Sequence, residues 1–267
     1  MNTGGKMSQE LRVALDAAET SGRRIMDFYR RNFSIQVKDD HTPVTEVDRA
    51  AERIIRDVIT AAFPTHGFIG EEFGTTNPAS DAQWVIDPID GTRNFTRGVP
   101  LFGSLIALFR EGIPVIGVSN APAMGELLYA ERGAGAFRKD GSRIAVSSTK
   151  SVRDAFLTFG EPDRFLDACG SVAFEHLVHE AAHTRVIGDA YAYHLVAEGR
   201  FDAVLEAGVH VWDIASAAVI VQEAGGRATD LHGNAVTVNT TSILASNGAL
   251  HDQLLERLRR TSHGTHP

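Results

Sequence analysis

Apolar residues recur at helical spacing across residues 45–63. Val47, Ala50, Ala51, Ile54, Ile55, Val58, Ile59 and Ala62 share one face, which predicts an amphipathic helix. Residues 8–31 also read as helical. Short β-like runs follow at 67–70, 84–86, 101–109, 113–120 and 127–131, broken by Gly and Pro, and their spacing suggests an antiparallel meander. After about Val146 the pattern becomes alternating. Strands are expected at 155–159, 185–187, 201–206 and 243–246. Helices are expected at 163–182, 190–198, 214–224 and 249–259, the third of these closed by Gly225 and Gly226. The expected class is α/β, with an α+β half over residues 8–146 and an α/β half over 147–260. Residues 1–7 and 261–267 are expected to be disordered ends, with Met7 as a second candidate start.

Composition narrows the classes. The 267 residues are 43% hydrophobic and 22% charged, the usual globular mix rather than a disordered one. The apolar runs are far shorter than the roughly 18 residues of a membrane span, so no membrane partner is expected. Residues 1–10 are polar with no apolar signal core, and the single Cys169 allows no internal disulfide. Both point to a reducing, cytoplasmic setting. A net charge of −8, from 26 basic and 34 acidic residues, argues against a nucleic-acid surface. It leaves an anionic substrate open, because bound divalent cations reverse the local sign.

The candidate chemistry begins at residues 84–92, where an apolar strand runs into Asp87-Pro88-Ile89-Asp90-Gly91-Thr92. Pro88 fixes φ, and Gly91 lets the backbone come close to a ligand. Two carboxylates three residues apart on one turn are either solvated or bridged by a cation; as hard oxygen donors they suit Mg²⁺. Gly70-Glu71-Glu72 puts two acids at the end of another β-like run, which alone is an ordinary charged loop. Trp212-Asp213 opens an apolar helix, where Asp213 alone could be an N-cap. Thr45-Glu46-Val47-Asp48 has the spacing of a capping box. His176, His179 and His183, interleaved with Glu175 and Glu180, read as a solvated helix face rather than a zinc site. A D-x-D phosphatase motif, a nucleophile elbow and a P-loop are all missing.

In combination, Gly70-Glu71-Glu72, Asp87-Pro88-Ile89-Asp90-Gly91-Thr92 and Trp212-Asp213 with Glu223-Ala224-Gly225-Gly226 resemble the inositol monophosphatase superfamily of metal-dependent, lithium-sensitive phosphatases. The resemblance runs from about Leu11 to Leu258. It implies a layered αβαβα sandwich, a homodimer and two or three Mg²⁺ ions. It also implies that Glu71, Asp87 and the Ile89 carbonyl hold one metal, that Asp87, Asp90 and Asp213 hold a second, and that Glu71 touches a third. Thr92 and Glu71 would orient an attacking water, and Asp48 would hydrogen-bond Thr92, a role compatible with capping. The N–H groups of Gly91 and Thr92 would take phosphate oxygens.

The substrate implied is a small phosphorylated metabolite. Arg93 and Asp189 stand where inositol-preferring members usually have small residues, and Glu206 matches the acid that contacts the leaving group. Two acids there suit a cationic alcohol. The stretches 96–100, Gly188-Asp189 and 196–199 resemble the bacterial histidinol-phosphatase branch, which implies hydrolysis of L-histidinol phosphate. Inositol-1-phosphate is the alternative, ahead of nucleotide 3′-phosphates or fructose bisphosphate. Asp189 could instead be only the N-cap of the helix at 190–198. A non-catalytic binding protein of the same fold would lack a metal ligand, and all the ligand positions are filled.

Overall fold

The structure, a computed structural model, describes residues 7–31, 35–37 and 43–262. The expected disordered ends, apart from Met7, Thr261 and Ser262, lie outside the described residues. The chain opens with α1 (Gln9–Phe28), β1 (Ile35–Val37), β2 (Pro43–Thr45) and α2 (Glu46–Ala62). A sheet-forming stretch follows: β3 (Gly67–Gly70), β4 (Gly74–Thr76), β5 (Ala82–Asp90), the short α3 (Thr92–Thr96), β6 (Gly103–Arg110), β7 (Ile113–Ala121), β8 (Glu126–Glu131) and β9 (Gly135–Arg138). The remainder is β10 (Phe156–Phe159), α4 (Pro162–Cys169), α5 (Ser171–Glu180), β11 (His183–Val186), α6 (Asp189–Ala197) and β12 (Ala203–Ala207). It ends with α7 (Val211–Glu223), β13 (Arg227–Thr229), β14 (Ser242–Ser246) and α8 (His251–Ser262).

Among the described residues the larger sheet has the order β4-β3-β5-β6-β7-β8-β9 and the smaller β11-β10-β12-β14-β13. Helices α1 and α2 cover the outer face of the larger sheet. Helices α6 and α7 lie between the two sheets, and α4, α5 and α8 cover the far side of the smaller one. This is the expected αβαβα sandwich. Helix α7 is buried on nearly every side, from Ile214 through Val221, because it contacts sheet above and below. Its all-round apolar sequence is the sign of that position.

The meander is antiparallel from β5 to β9, but β3 pairs parallel to β5, with β4 on its outer edge. The helix expected at 163–182 is two helices, because Gly170 sits at φ +81° between them. Helix α5 ends at Glu180, where Ala181 turns extended, so His183 begins β11 and leaves the helical face of His176 and His179, though all three are exposed as expected of solvated residues. Strands β1, β2, β4, β9 and β13 were missed; at three or four residues each they are too short for period-two patterning to register.

Candidate active site

Parallel pairing decides where the site forms. Because β3 and β5 run the same way, the turn after Gly70 and the end of β5 emerge side by side; the Glu71 N–H donates to the Ile86 carbonyl at 3.2 Å. Strands β10, β11 and β12 are also mutually parallel, so Glu161, Asp189 and Glu206 emerge at one end of the smaller sheet. Both sets of carboxyl ends open onto one cavity of about 760 Å³. It is lined by Glu71, Asp87, Ile89, Asp90, Gly91, Thr92, Arg93, Gly188, Asp189, Glu206 and Asp213, so all but one of the sequence-derived candidates meet there. Asp48 lies behind Thr92.

Asp87, Asp90 and Asp213 offer carboxylate oxygens that all lie within 4.8 Å of one another. At that separation two ionised carboxylates repel by roughly 3–4 kcal/mol at an effective dielectric near 20. Each remains available to a ligand. Asp87 Oδ1 accepts the Ile89 N–H at 2.9 Å and Asp213 Oδ2 accepts the His210 N–H at 2.7 Å, and the two carboxyl groups also share a side-chain hydrogen bond that a cation between them would replace. Asp90 Oδ2 is buried with no hydrogen-bond partner. The Ile89 carbonyl accepts from Thr92 Oγ1 at 2.9 Å and keeps a second lone pair. Asp213 is the third residue of α7 rather than its N-cap; that place belongs to His210.

Asp48 makes both contacts considered for it, the cap and the hydrogen bond to Thr92. Its Oδ2 accepts from the Thr45 N–H at 2.8 Å, and Thr45 Oγ1 caps the first turn of α2, completing a capping box. Its Oδ1 accepts from Thr92 Oγ1 at 3.2 Å. The Thr92 hydroxyl has one proton for two acceptors, Asp48 and Ile89, so its direction is held without being exhausted. Gly91, at φ +87°, cannot be replaced cheaply: a Cβ there would lie 2.9 Å from the Leu101 carbonyl and 3.0 Å from Asp189 Oδ2.

Asp189 departs from the helix-cap alternative. Gly188 is the N-cap of α6, and Asp189 makes no cap hydrogen bond. Instead its Oδ2 accepts from Asn94 Nδ2 at 2.9 Å, and its backbone N–H donates to Glu206. Its φ of +56° is a left-handed conformation, which a non-glycine residue occupies only when the surroundings require it. Tyr193 Oη also donates to Glu206. Arg93 is tied to Glu161 at 2.5 Å, and Glu161 also pairs with Arg164 at 2.8 Å, across the cavity mouth. Asn94, Glu161, Arg164 and Tyr193 were missed. For Glu161 a signal existed, since Gly160-Glu161-Pro162 repeats the pattern of an acid directly after a strand.

Burial, reinforced by like charge, pushes six acids of the site upward. Glu206 rises to about 8 and Asp213 to about 7. Asp48 and Asp189 each rise to about 6, and Asp87 and Asp90 move well above the ordinary carboxylate range. The folded, metal-free chain therefore binds more protons than the unfolded chain, and stability falls as pH rises through these values. His251, held neutral by burial and lowered to about 4, works oppositely below pH 6.5. The test window is thus above pH 6.5. The melting temperature of chelator-treated protein should drop between pH 6.5 and 8.5, and added Mg²⁺ should reverse the drop. A flat or rising trend by differential scanning fluorimetry would contradict this account.

A model of the inositol monophosphatase family matches residues 6–263. The chain belongs to the inositol monophosphatase family. It is 40% identical over 250 residues to a histidinol-phosphatase of Chlorobaculum parvum, covering 93% of this chain and 96% of that protein. It is 37% identical over 258 residues to an inositol-1-monophosphatase of Rhizobium meliloti, covering 94% and 96%. The crystal structure of the extragenic suppressor protein suhB from Bartonella henselae superposes with a TM-score of 0.88 at 32% identity, covering 95% and 99%. This family member is accordingly a phosphoric monoester hydrolase acting on small phosphorylated substrates. The family is metal-dependent, and the cluster of Asp87, Asp90 and Asp213 could hold a metal. Among the described residues no helix is long and apolar enough to cross a membrane.

Proposed function

We propose that the chain is a Mg²⁺-dependent histidinol-phosphate phosphatase. Asp87, Asp90 and Asp213 would hold one ion, and Glu71, Asp87 and the Ile89 carbonyl another, with Glu71 beside a third. A bound Mg²⁺ pair supplies a more acidic water and charge stabilisation on the phosphoryl oxygens. The rest is done by the chain. Thr92, backed by Asp48, and Glu71 orient the water for attack in line with the leaving oxygen. The N–H groups of Gly91 and Thr92, where β5 gives way to α3, take phosphate oxygens. Gly188 leaves room beside Glu206, since a Cβ there would stand 3.0 Å from its carboxylate.

The observation that carries the substrate reading is Asp189. A residue held at positive φ, with one carboxylate oxygen fixed by Asn94 and its N–H on Glu206, brings two acids to the alcohol side of the cavity. A neutral polyol needs no such arrangement, whereas an amino alcohol with an ammonium and an imidazole does. Arg93, Glu161 and Arg164 form the polar rim around it. The name of the Chlorobaculum parvum relative supports this reading. The Rhizobium meliloti relative favours inositol-1-phosphate as the second reading. The deciding experiment is phosphate release from a panel of histidinol phosphate, inositol-1-phosphate, fructose-1,6-bisphosphate and 3′-phosphoadenosine-5′-phosphate. A clear kcat/KM preference for histidinol phosphate is expected, and a preference for inositol-1-phosphate would transfer the assignment.

A cytoplasmic homodimer belongs to the same proposal; a monomer by analytical ultracentrifugation would remove that part. Li⁺ and excess Mg²⁺ should both inhibit, as the resemblance to the lithium-sensitive phosphatases implies. Full activity at tens of millimolar Li⁺ would place the chain outside the lithium-sensitive behaviour expected of it.

A further inference from the structure

Helix α2 carries two buried acids one turn apart, Asp48 and Glu52, on its otherwise apolar inner face. Asp48 meets Thr92. Glu52, fully buried, reaches the other side of the site. Its Oε2 accepts the backbone N–H of Glu72 at 2.7 Å, and its Oε1 accepts from Arg56 Nε at 2.7 Å. Arg56 in turn donates to the Gly74 carbonyl at 2.6 Å and to Thr76 Oγ1 at 3.2 Å, and its guanidinium lies over the Phe68 ring at 5.1 Å. The turn between β3 and β4 is therefore pinned on both sides of its bend, and Glu71 sits within it. The fit is close: a side chain on Gly70 would run into the Glu52 carboxylate.

We propose that Glu52, with Arg56, is a positioning residue for Glu71, so that α2 fixes the geometry between Glu71 and Thr92. Two acids at i and i+4 on one rigid helix set the distance between the two groups that orient the water. Without Glu52 the Glu72 N–H loses its partner and the turn gains freedom, while Asp48 and Thr92 stay in place. Misplacement of about 1 Å costs up to a hundredfold in rate, so a loosened turn should cost about tenfold. The inference rests on the proposed function, because it assumes that Glu71 serves the metal and the water.

The test compares E52A, E52Q and E180Q in the full chain. Glu180 pairs with Arg257 between α5 and α8, remote from the cavity, and serves as a control for ion-pair loss. Four quantities are read: kcat and KM for phosphate release with saturating Mg²⁺ and Mn²⁺ affinity by electron paramagnetic resonance, all well below the melting temperature, and the melting temperature itself. E52A should lose about tenfold in kcat with KM within twofold, and should bind Mn²⁺ more weakly. E52Q, whose amide oxygen can still accept the Glu72 N–H but cannot also satisfy Arg56, should fall between E52A and the parent. E180Q should lower the melting temperature and leave kcat and Mn²⁺ affinity unchanged. The inference is overturned if E52A keeps the parental kcat and Mn²⁺ affinity, or if E180Q loses kcat as E52A does. Should E52A not fold, parental values in E52Q overturn it equally. If the parent releases no phosphate at all, the functional reading fails, and Mn²⁺ affinity alone then decides whether Glu52 shapes the site.

Discussion

Asp87→Asn and Asp90→Asn should each lose at least about a hundredfold to a thousandfold in phosphate release while keeping the fold, because each removes a charge that the chemistry needs to hold cations. The same substitutions should raise the melting temperature of the metal-free protein. Asp87 and Asp90 are buried in a cluster with Asp213 whose ligand oxygens lie within 4.8 Å of one another. Asparagine keeps the shape, and at position 87 its Oδ1 can still accept the Ile89 N–H. What is lost is like charge that a metal would otherwise neutralise. Activity and stability thus move in opposite directions, a signature that simple damage to the core does not produce. Parental turnover in either variant with Mg²⁺ present would end the metal hypothesis, and a large fall in metal-free stability would mean that the acids serve the fold.

A selective loss is expected at Asp189. Asp189→Asn should lower kcat/KM for histidinol phosphate by roughly tenfold to a hundredfold, the equivalent of one charge-assisted hydrogen bond of about 1.5–3 kcal/mol. Inositol-1-phosphate, with no cation to place there, should be hydrolysed about as fast as before. Asparagine is the better first substitution, since it tolerates the left-handed φ of +56° and its amide oxygen can accept from Asn94. Asp189→Ala removes both charge and tether, and through the Asp189 N–H it also threatens the placement of Glu206. Comparing the two variants separates charge from architecture. Equal losses for both esters, together with a lower melting temperature, would reduce Asp189 to a structural tie.

Much of this molecule was legible before its structure. The apolar stripe of α2 and the Thr45–Asp48 box located that helix to within a residue at each end. Glu71 and Glu72 follow β3 directly, Asp87 and Asp90 close β5, and Asp213 stands in the first turn of the buried α7, where local sequence dictates the backbone. Spacing within one segment is a local property, so it survives into the fold.

What the sequence alone could not determine is which distant segments meet, because that depends on strand direction and sheet order. The parallel pairing of β3 with β5 sets Glu71 beside Asp87, and a meander read from spacing has no way to indicate it. Nothing in the pattern of residues 45–63 singles out Glu52; only the packing of α2 against the β3–β4 turn makes it a buried anchor. From the sequence Asp189 read as an acid of the leaving-group pocket, with a helix cap as the alternative. In the fold Gly188 takes the cap position, and Asn94, 95 residues earlier in the chain, holds the Asp189 carboxylate at the cavity wall. Residue types and local turns were determined by the sequence. The burial that shifts the acids, and the juxtaposition that makes them one site, come from packing two sheets against α6 and α7, an interaction between segments that no local pattern encodes.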